Sequence, residues 1–143
     1  MYLADSGANA HILVDESMVQ NVVDWEQEIK VGGSRTLKSI KKGDLAIKTK
    51  NGMCISLLDA LIVPDFGKNI VSIGAFIANG TEFAIKGEKA TLTCQGRTVE
   101  MDKRSDGMYY LEGKPIGMKI EKRAKIYETN EQSGSGNSIR LRK

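Results

Sequence analysis

Residues 44–63 read DLAIKTKNGMCISLLDALIV. Asp44 to Thr49 alternates in polarity, as a strand with one buried face does. Asn51-Gly52 follows, a dipeptide whose backbone freedom suits a two-residue hairpin turn. Met53 to Val63 then reads as a long strand. Pro64-Asp65 ends it, because proline cannot donate to a sheet ladder. Strand, tight turn and strand within one short stretch set a β expectation for the chain.

The pattern extends both ways. Upstream, Glu28 to Val31 and Thr36 to Ile40 flank Gly32-Gly33-Ser34-Arg35, a hairpin with a glycine-rich tip. Downstream, Asn69 to Ile73 is a short apolar strand, and Ala75 to Ala78 a short helix stopped at Asn79-Gly80. Glu82 to Ile85, Ala90 to Cys94, Thr98 to Met101 and Met108 to Leu111 are further short strands bounded by glycine turns. Such regular short strands point to an all-β barrel or sandwich. Residues 11–27 carry a weaker signal, read as a helical turn capped by Asp15-Glu16 and bearing Met18, Val22 and Trp25. No internal repeat is visible.

The 143 residues, 41% apolar and 27% charged, suit one soluble globular domain. No apolar run approaches the roughly 18 residues of a membrane span, and the start lacks a signal-peptide pattern. Cys54 and Cys94 each fall inside a strand, as two buried small hydrophobes or a disulfide pair. With a single histidine and no Cys-x-x-Cys, zinc is not expected. No cofactor is expected either. A Ser-His-Asp or Cys-His centre would need His11, which has no nucleophile signature near it. Residues 114–143 hold eight Lys or Arg and three Glu, about +5 of the net +3, so the remainder is about −2. That division predicts a domain over 1–113 and a basic, flexible tail or linker over 114–143. The tail includes a basic piece at Lys119 to Ile126, the linker-like Ser133-Gly134-Ser135-Gly136 and a basic Ile139 to Lys143.

The chemistry-bearing stretch lies at the front: Leu3-Ala4-Asp5-Ser6-Gly7-Ala8. Hydrolysing a peptide without a metal or a covalent nucleophile takes an acid and a base around one water. Two carboxylates about 3 Å apart do this with one shared proton. An apolar strand delivers the aspartate to a dry site, and the next hydroxyl bonds across to fix the loop. The glycine lets backbone N–H groups approach the carboxylate. Taken alone, Asp-Ser-Gly is also a common turn tripeptide. Its context adds a hairpin able to cover a substrate, around Val31-Gly32-Gly33-Ser34, and an apolar strand, Asn69 to Gly74, able to brace the loop.

The order Asp-Ser-Gly-Ala-x-x-His, a glycine-containing hairpin, LLDALIVPDFGKNIVSIGAF, GTEFAI and RSDGMYYLEG resembles the protease region of copia-type LTR retrotransposon Gag-Pol polyproteins. The resemblance spans about residues 2–113. These proteins are related to the retropepsins. It implies a retropepsin-like closed β-barrel with a flap hairpin, one or two short helices and extra C-terminal strands. It implies Asp5 as the catalytic carboxylate, with Ser6 and Gly7 supporting the loop. Ala8 and Asn9 would line the substrate cleft, Gly32, Gly33 and Ser34 would belong to the flap, and Ile70 and Val71 would match the bracing strand's apolar pair. A retroviral enzyme has glycine after that pair, where Ser72 stands here, with Gly74 two residues on. Only four residues precede Asp5, where retropepsins have a hairpin and a strand. The strands over 80–113 are expected to replace that front or to build a dimer contact. His11 reads as a buried structural histidine.

No second Asp-Ser/Thr-Gly occurs, and the chain is too short for two lobes. The second aspartate is therefore expected from another copy across a two-fold axis. The resemblance implies an aspartic endopeptidase that processes its own polyprotein, in cytoplasmic virus-like particles. Its partners would be a second copy and a polyprotein peptide, with no membrane. Nucleic acid would contact the basic tail at most. Two rivals stand beside this reading. One is a catalytically silent retropepsin-like module for dimerisation or capsid association. The other is a small nucleic-acid-binding barrel, for which aromatic residues are few.

Overall fold

The computed structural model describes residues 1–117, 119–120, 126–129 and 139–140. The chain is all-β, with thirteen strands and one short helix among these residues. In order, they are β1 (Tyr2–Asp5), β2 (Ile12–Leu13), β3 (Gln20–Lys30), β4 (Thr36–Thr49), β5 (Met53–Ile62), β6 (Ile70–Ser72) and α1 (Ile73–Ala78). Then follow β7 (Glu82–Lys86), β8 (Lys89–Cys94), β9 (Arg97–Lys103), β10 (Tyr109–Leu111), β11 (Gly113–Ile116), β12 (Ile126–Thr129) and β13 (Ile139–Arg140).

The β4–β5 hairpin forms where the sequence predicts it, but its loop has three residues, Lys50, Asn51 and Gly52, rather than two, with only Gly52 in the left-handed region. Gly52 takes φ +78, and its N–H donates to the Thr49 carbonyl at 3.1 Å. Leu45, Ile47, Ile55 and Leu57 on these two strands are all but fully buried. They join Tyr2, Val71, Phe76, Leu92, Met101, Leu111 and Ile126 in one barrel-like core drawn from both halves of the chain. A second apolar cluster of Leu3, Ile12, Leu61, Val63 and Ile70 lies beside it. Cys54 and Cys94 are buried and unbridged.

β1 runs between parallel β6 and antiparallel β10, with Asp5 opposite Ser72 and Tyr2 opposite Leu111. Through β10 the strands β9, β8 and β7 continue the sheet that carries Asp5.

Two expectations give way. Residues 20–27 belong to a strand rather than a helical turn. Asp15 instead caps a tight turn: its carboxylate accepts the Ser17 N–H at 2.9 Å, and the Val19 N–H reaches the Glu16 carbonyl at 3.0 Å. Met18, Val22 and Trp25 share no core, at 37, 39 and 44% exposure. The expected boundary between 113 and 114 falls inside β11, which pairs with β4. Beyond it, Ile120 is buried beside Ala46 and Leu58, and β12 pairs with β5 and sends Ile126 into the main core. These strands cover β4 and β5 edges that would otherwise expose unpaired backbone groups. Most of the Lys119 to Ile126 piece, the Ser133-Gly134-Ser135-Gly136 linker and the last three residues of the basic terminus lie outside the described residues.

Candidate active site

Asp5 is the last residue of β1, half-buried, where the chain leaves the sheet. β6 pairs along β1 as far as Asp5 on one edge, and β10 pairs with Tyr2 and Leu3 on the other. The turn that follows brings the Gly7 N–H to the Asp5 Oδ1 at 2.7 Å. A Cβ at position 7 would stand 3.3 Å from that oxygen, a tight contact that glycine avoids. Ser6 and Gly7 are exposed.

Ser72 braces this loop from behind. Its hydroxyl donates to the Ala8 carbonyl at 2.6 Å and accepts the Ala75 N–H at 3.0 Å, capping α1. Its own N–H donates to the His11 Nδ1 at 2.9 Å. His11 is buried, with its ring centroid 4.7 Å from that of Phe76. Burial pushes its pKa down to about 4, against the opposing pull of the Asp59 charge.

The loop forms one wall of a cleft of about 440 Å³, through Asp5, Gly7, Ala8, Asn9 and Ala10. The floor is apolar: Ile12, Leu61, Phe66 and Ile70. The opposite wall is Gln27, Glu28, Ile29 and Lys30 of β3. Side chains alternate along a strand, so four consecutive residues reach the cleft when the strand meets it edge-on. β3 pairs with β4 alone among the described strands. Its other edge has no strand partner among the described residues. Ile29 and its cross-strand partner Leu37 pack on the floor cluster, while Glu28 pairs with Lys38 on the other face.

The hairpin is anchored at its base. Asp44, buried in β4, accepts the Asn21 side-chain N–H and the Asp59 backbone N–H, each at 2.9 Å. Asn21 and Asp59 hold left-handed φ values of +56 and +55. At Gly43 a Cβ would meet Val19 Cγ1 at 2.5 Å and the Gln20 carbonyl at 2.8 Å, so only glycine fits. The tip is open by contrast, with nothing within 4 Å of a Cβ at Gly32 or Gly33.

Of the residues expected at the site, Asp5, Gly7, Ala8, Asn9 and Ile70 meet in the cleft. Gly32, Gly33 and Ser34 form the hairpin tip and do not line it, because the strand Gln27–Lys30 supplies the wall. Val71 points the other way, into the main core. The Ser6 hydroxyl makes no hydrogen bond to a described residue, and the hydroxyl that braces the loop within the chain is that of Ser72. Sequence reasoning missed the β3 wall, Ala10, Ile12, Leu61 and Phe66, and the link between Ser72 and His11. The Phe66 position had a local signal, the Pro64 that opens a 3₁₀ turn at Pro64–Phe66. Among the described residues no three His, Cys, Asp or Glu side chains converge as metal ligands would. No helix among them is long and apolar enough to cross a membrane.

No curated protein and no solved structure gives a significant match to the chain. The family described as Pol polyprotein, beta-barrel domain matches residues 2–81. That span runs from β1 to the residue before β7 and holds every residue that lines the cleft. The chain therefore belongs to the family of Pol polyprotein β-barrel domains.

Proposed function

We propose that this domain is the protease of a copia-type retrotransposon Gag-Pol polyprotein, an aspartic endopeptidase that works as a homodimer. The observation that carries the reading is Asp5 itself. It stands at a strand end, at the mouth of a peptide-sized cleft, with the Gly7 amide on its carboxylate. The opposite wall is a strand edge suited to an extended peptide. Glu28, the other carboxylate of the cleft, shares its strand face with Lys38, away from the floor. The second working carboxylate then comes from the Asp5 of a second copy. The exposed Ser6 hydroxyl is left to bond across to the partner loop.

In this mechanism one Asp5 is ionised and takes a proton from the attacking water. The other is protonated and polarises the scissile carbonyl. The β3–β4 hairpin of each protomer covers the peptide and excludes water. The substrate is the element's own polyprotein, cleaved in virus-like particles in the cytoplasm. The test is cleavage of a polyprotein-junction peptide by the purified chain, across protein concentrations, with Asp5→Asn beside it. Cleavage should rise more steeply than protein concentration and vanish in the variant. Undiminished cleavage by folded Asp5→Asn overturns the assignment.

A second reading, a catalytically silent module for dimerisation or capsid association, draws on the hairpin's outer face. Val23, Trp25 and Ile40 are exposed there at 51, 44 and 61%, with the Lys42 ammonium 3.7 Å from the Trp25 ring centroid. Particle association that survives Asp5→Asn, with no cleavage by the parent, favours this reading.

A further inference from the structure

We propose that His11 and Ser72 form a positioning pair that holds the Asp5 loop against α1, with His11 neutral and its Nδ1 free of a proton. The proposal rests on the reading of Asp5 as the working carboxylate. Its own evidence is geometric. Three hydrogen bonds converge on Ser72: its N–H to His11 Nδ1 at 2.9 Å, its Oγ–H to the Ala8 carbonyl at 2.6 Å, and the Ala75 N–H to its Oγ at 3.0 Å. Ser72 is fully buried and lies opposite Asp5 in the β1–β6 register.

A ring nitrogen that accepts an N–H carries no proton, so the imidazole proton sits on Nε2. Protonating Nδ1 would set two N–H groups head to head and leave the buried Ser72 amide without an acceptor. The Ser72 hydroxyl would carry any resulting shift to Ala8, three residues after Asp5. His11 itself does not line the cleft and is 1% exposed. It therefore acts through Ser72 and touches no substrate. Ser72 of β6 and Phe76 of α1 pack against the ring, and Leu61 of β5 bonds the His11 carbonyl. The charged group acting on it is Asp59 of β5, which favours protonation, while burial opposes it more strongly.

His11 is the one histidine of the sequence, so its NMR signals are unambiguous. The full chain should show an unprotonated Nδ1 at pH 7 that persists to pH 5. An Nδ1–H tautomer, or a titration midpoint near the ordinary 6.5, overturns the proposal. Three variants extend the test. His11→Asn keeps an acceptor for the Ser72 amide, His11→Phe keeps a ring without one, and Ser72→Gly removes the hydroxyl. His11→Phe and Ser72→Gly should speed hydrogen exchange at the Gly7 and Ala75 amides by about tenfold, the worth of one net hydrogen bond. Amides of β4 and β5 should keep their rates, and His11→Asn should stay near the parent. In cleavage assays His11→Phe and Ser72→Gly should lower kcat with KM held. His11→Asn should restore kcat and lose the part of the acid limb that His11 protonation contributes. Unchanged exchange in folded Ser72→Gly overturns the pair. If His11→Phe does not fold, Ser72→Gly and the parent's NMR titration still decide. Absence of cleavage in the parent would sink the protease reading alone, because the NMR and exchange results judge the pair without it.

Discussion

Asp5 and Gln27–Lys30 face each other across one cleft, on strands of opposite construction. β1 is paired on both edges, and its loop is tied from behind through Ser72 to His11. β3 is paired on one edge, and almost every residue along it is exposed. Strands with few buried contacts open at low free energy, whereas doubly paired, buried ones open only with the whole fold. The cleft so built has one fixed wall and one adjustable wall. On the proposed function, a carboxylate must keep its geometry while a peptide enters and leaves, and this division would allow both. The adjustable wall is itself graded, pinned at Gly43 and Asp44 and free at the Gly32-Gly33 tip.

Four predictions press on this contrast. The largest concerns activity: Asp5→Asn should lower cleavage roughly 1,000-fold or more, as loss of a general acid–base group does. Asp24→Asn, on β3 but outside the cleft, should leave cleavage unchanged, and equal losses in the two variants would show that Asp5→Asn acts through net charge or stability rather than through the site. Next is the floor beneath the fixed wall. Ile70, 2% exposed, should destabilise by about 2–5 kcal/mol when changed to Ala. Ile40→Ser, at a hairpin position 61% exposed, should stay within about 0.5 kcal/mol in urea unfolding.

The third uses pH. His11 is held near 4 in the folded chain, against 6.5 when unfolded. Between those values the unfolded chain binds a proton that the folded chain does not. Stability therefore falls as pH drops from about 6.5 to 4, by about 3 kcal/mol from this group. His11→Asn should remove that component, read as the difference between parent and variant in urea unfolding at pH 7 and pH 4. A parallel pH dependence in both would show that the imidazole is not held neutral. The smallest effect compares base and tip of one hairpin. Gly43→Ala should cost about 1–3 kcal/mol through overpacking, and Gly32→Ala about 0.5 kcal/mol or less. Similar shifts in thermal midpoint would mean the hairpin is not anchored where Gly43 meets Gln20.

Several elements are legible in the residues alone. Asn51-Gly52 marks its own turn, and alternation marks Asp44 to Thr49. Asp5-Ser6-Gly7 announces a loop in which an amide can reach a carboxylate. The first half of β3 is not legible in this way. An edge strand with no buried face has no reason to alternate, and Met18, Val22 and Trp25 stand at spacings that imitate a helix. The Ser72–His11 bond joins residues 61 apart. A serine following two apolar residues gives no local sign of the amide acceptor it will meet.

By itself the sequence determined the all-β class, the hairpins and the placement of Asp5 at the end of an apolar strand. These depend on turn residues and on alternation, which act over a few neighbouring positions. Only the tertiary structure decided that β3 forms the second wall, that strands beyond residue 113 join β4 and β5, and that Ser72 locks the Asp5 loop to His11. Those features depend on which distant strands become neighbours, and on which buried polar groups are thereby obliged to find one another.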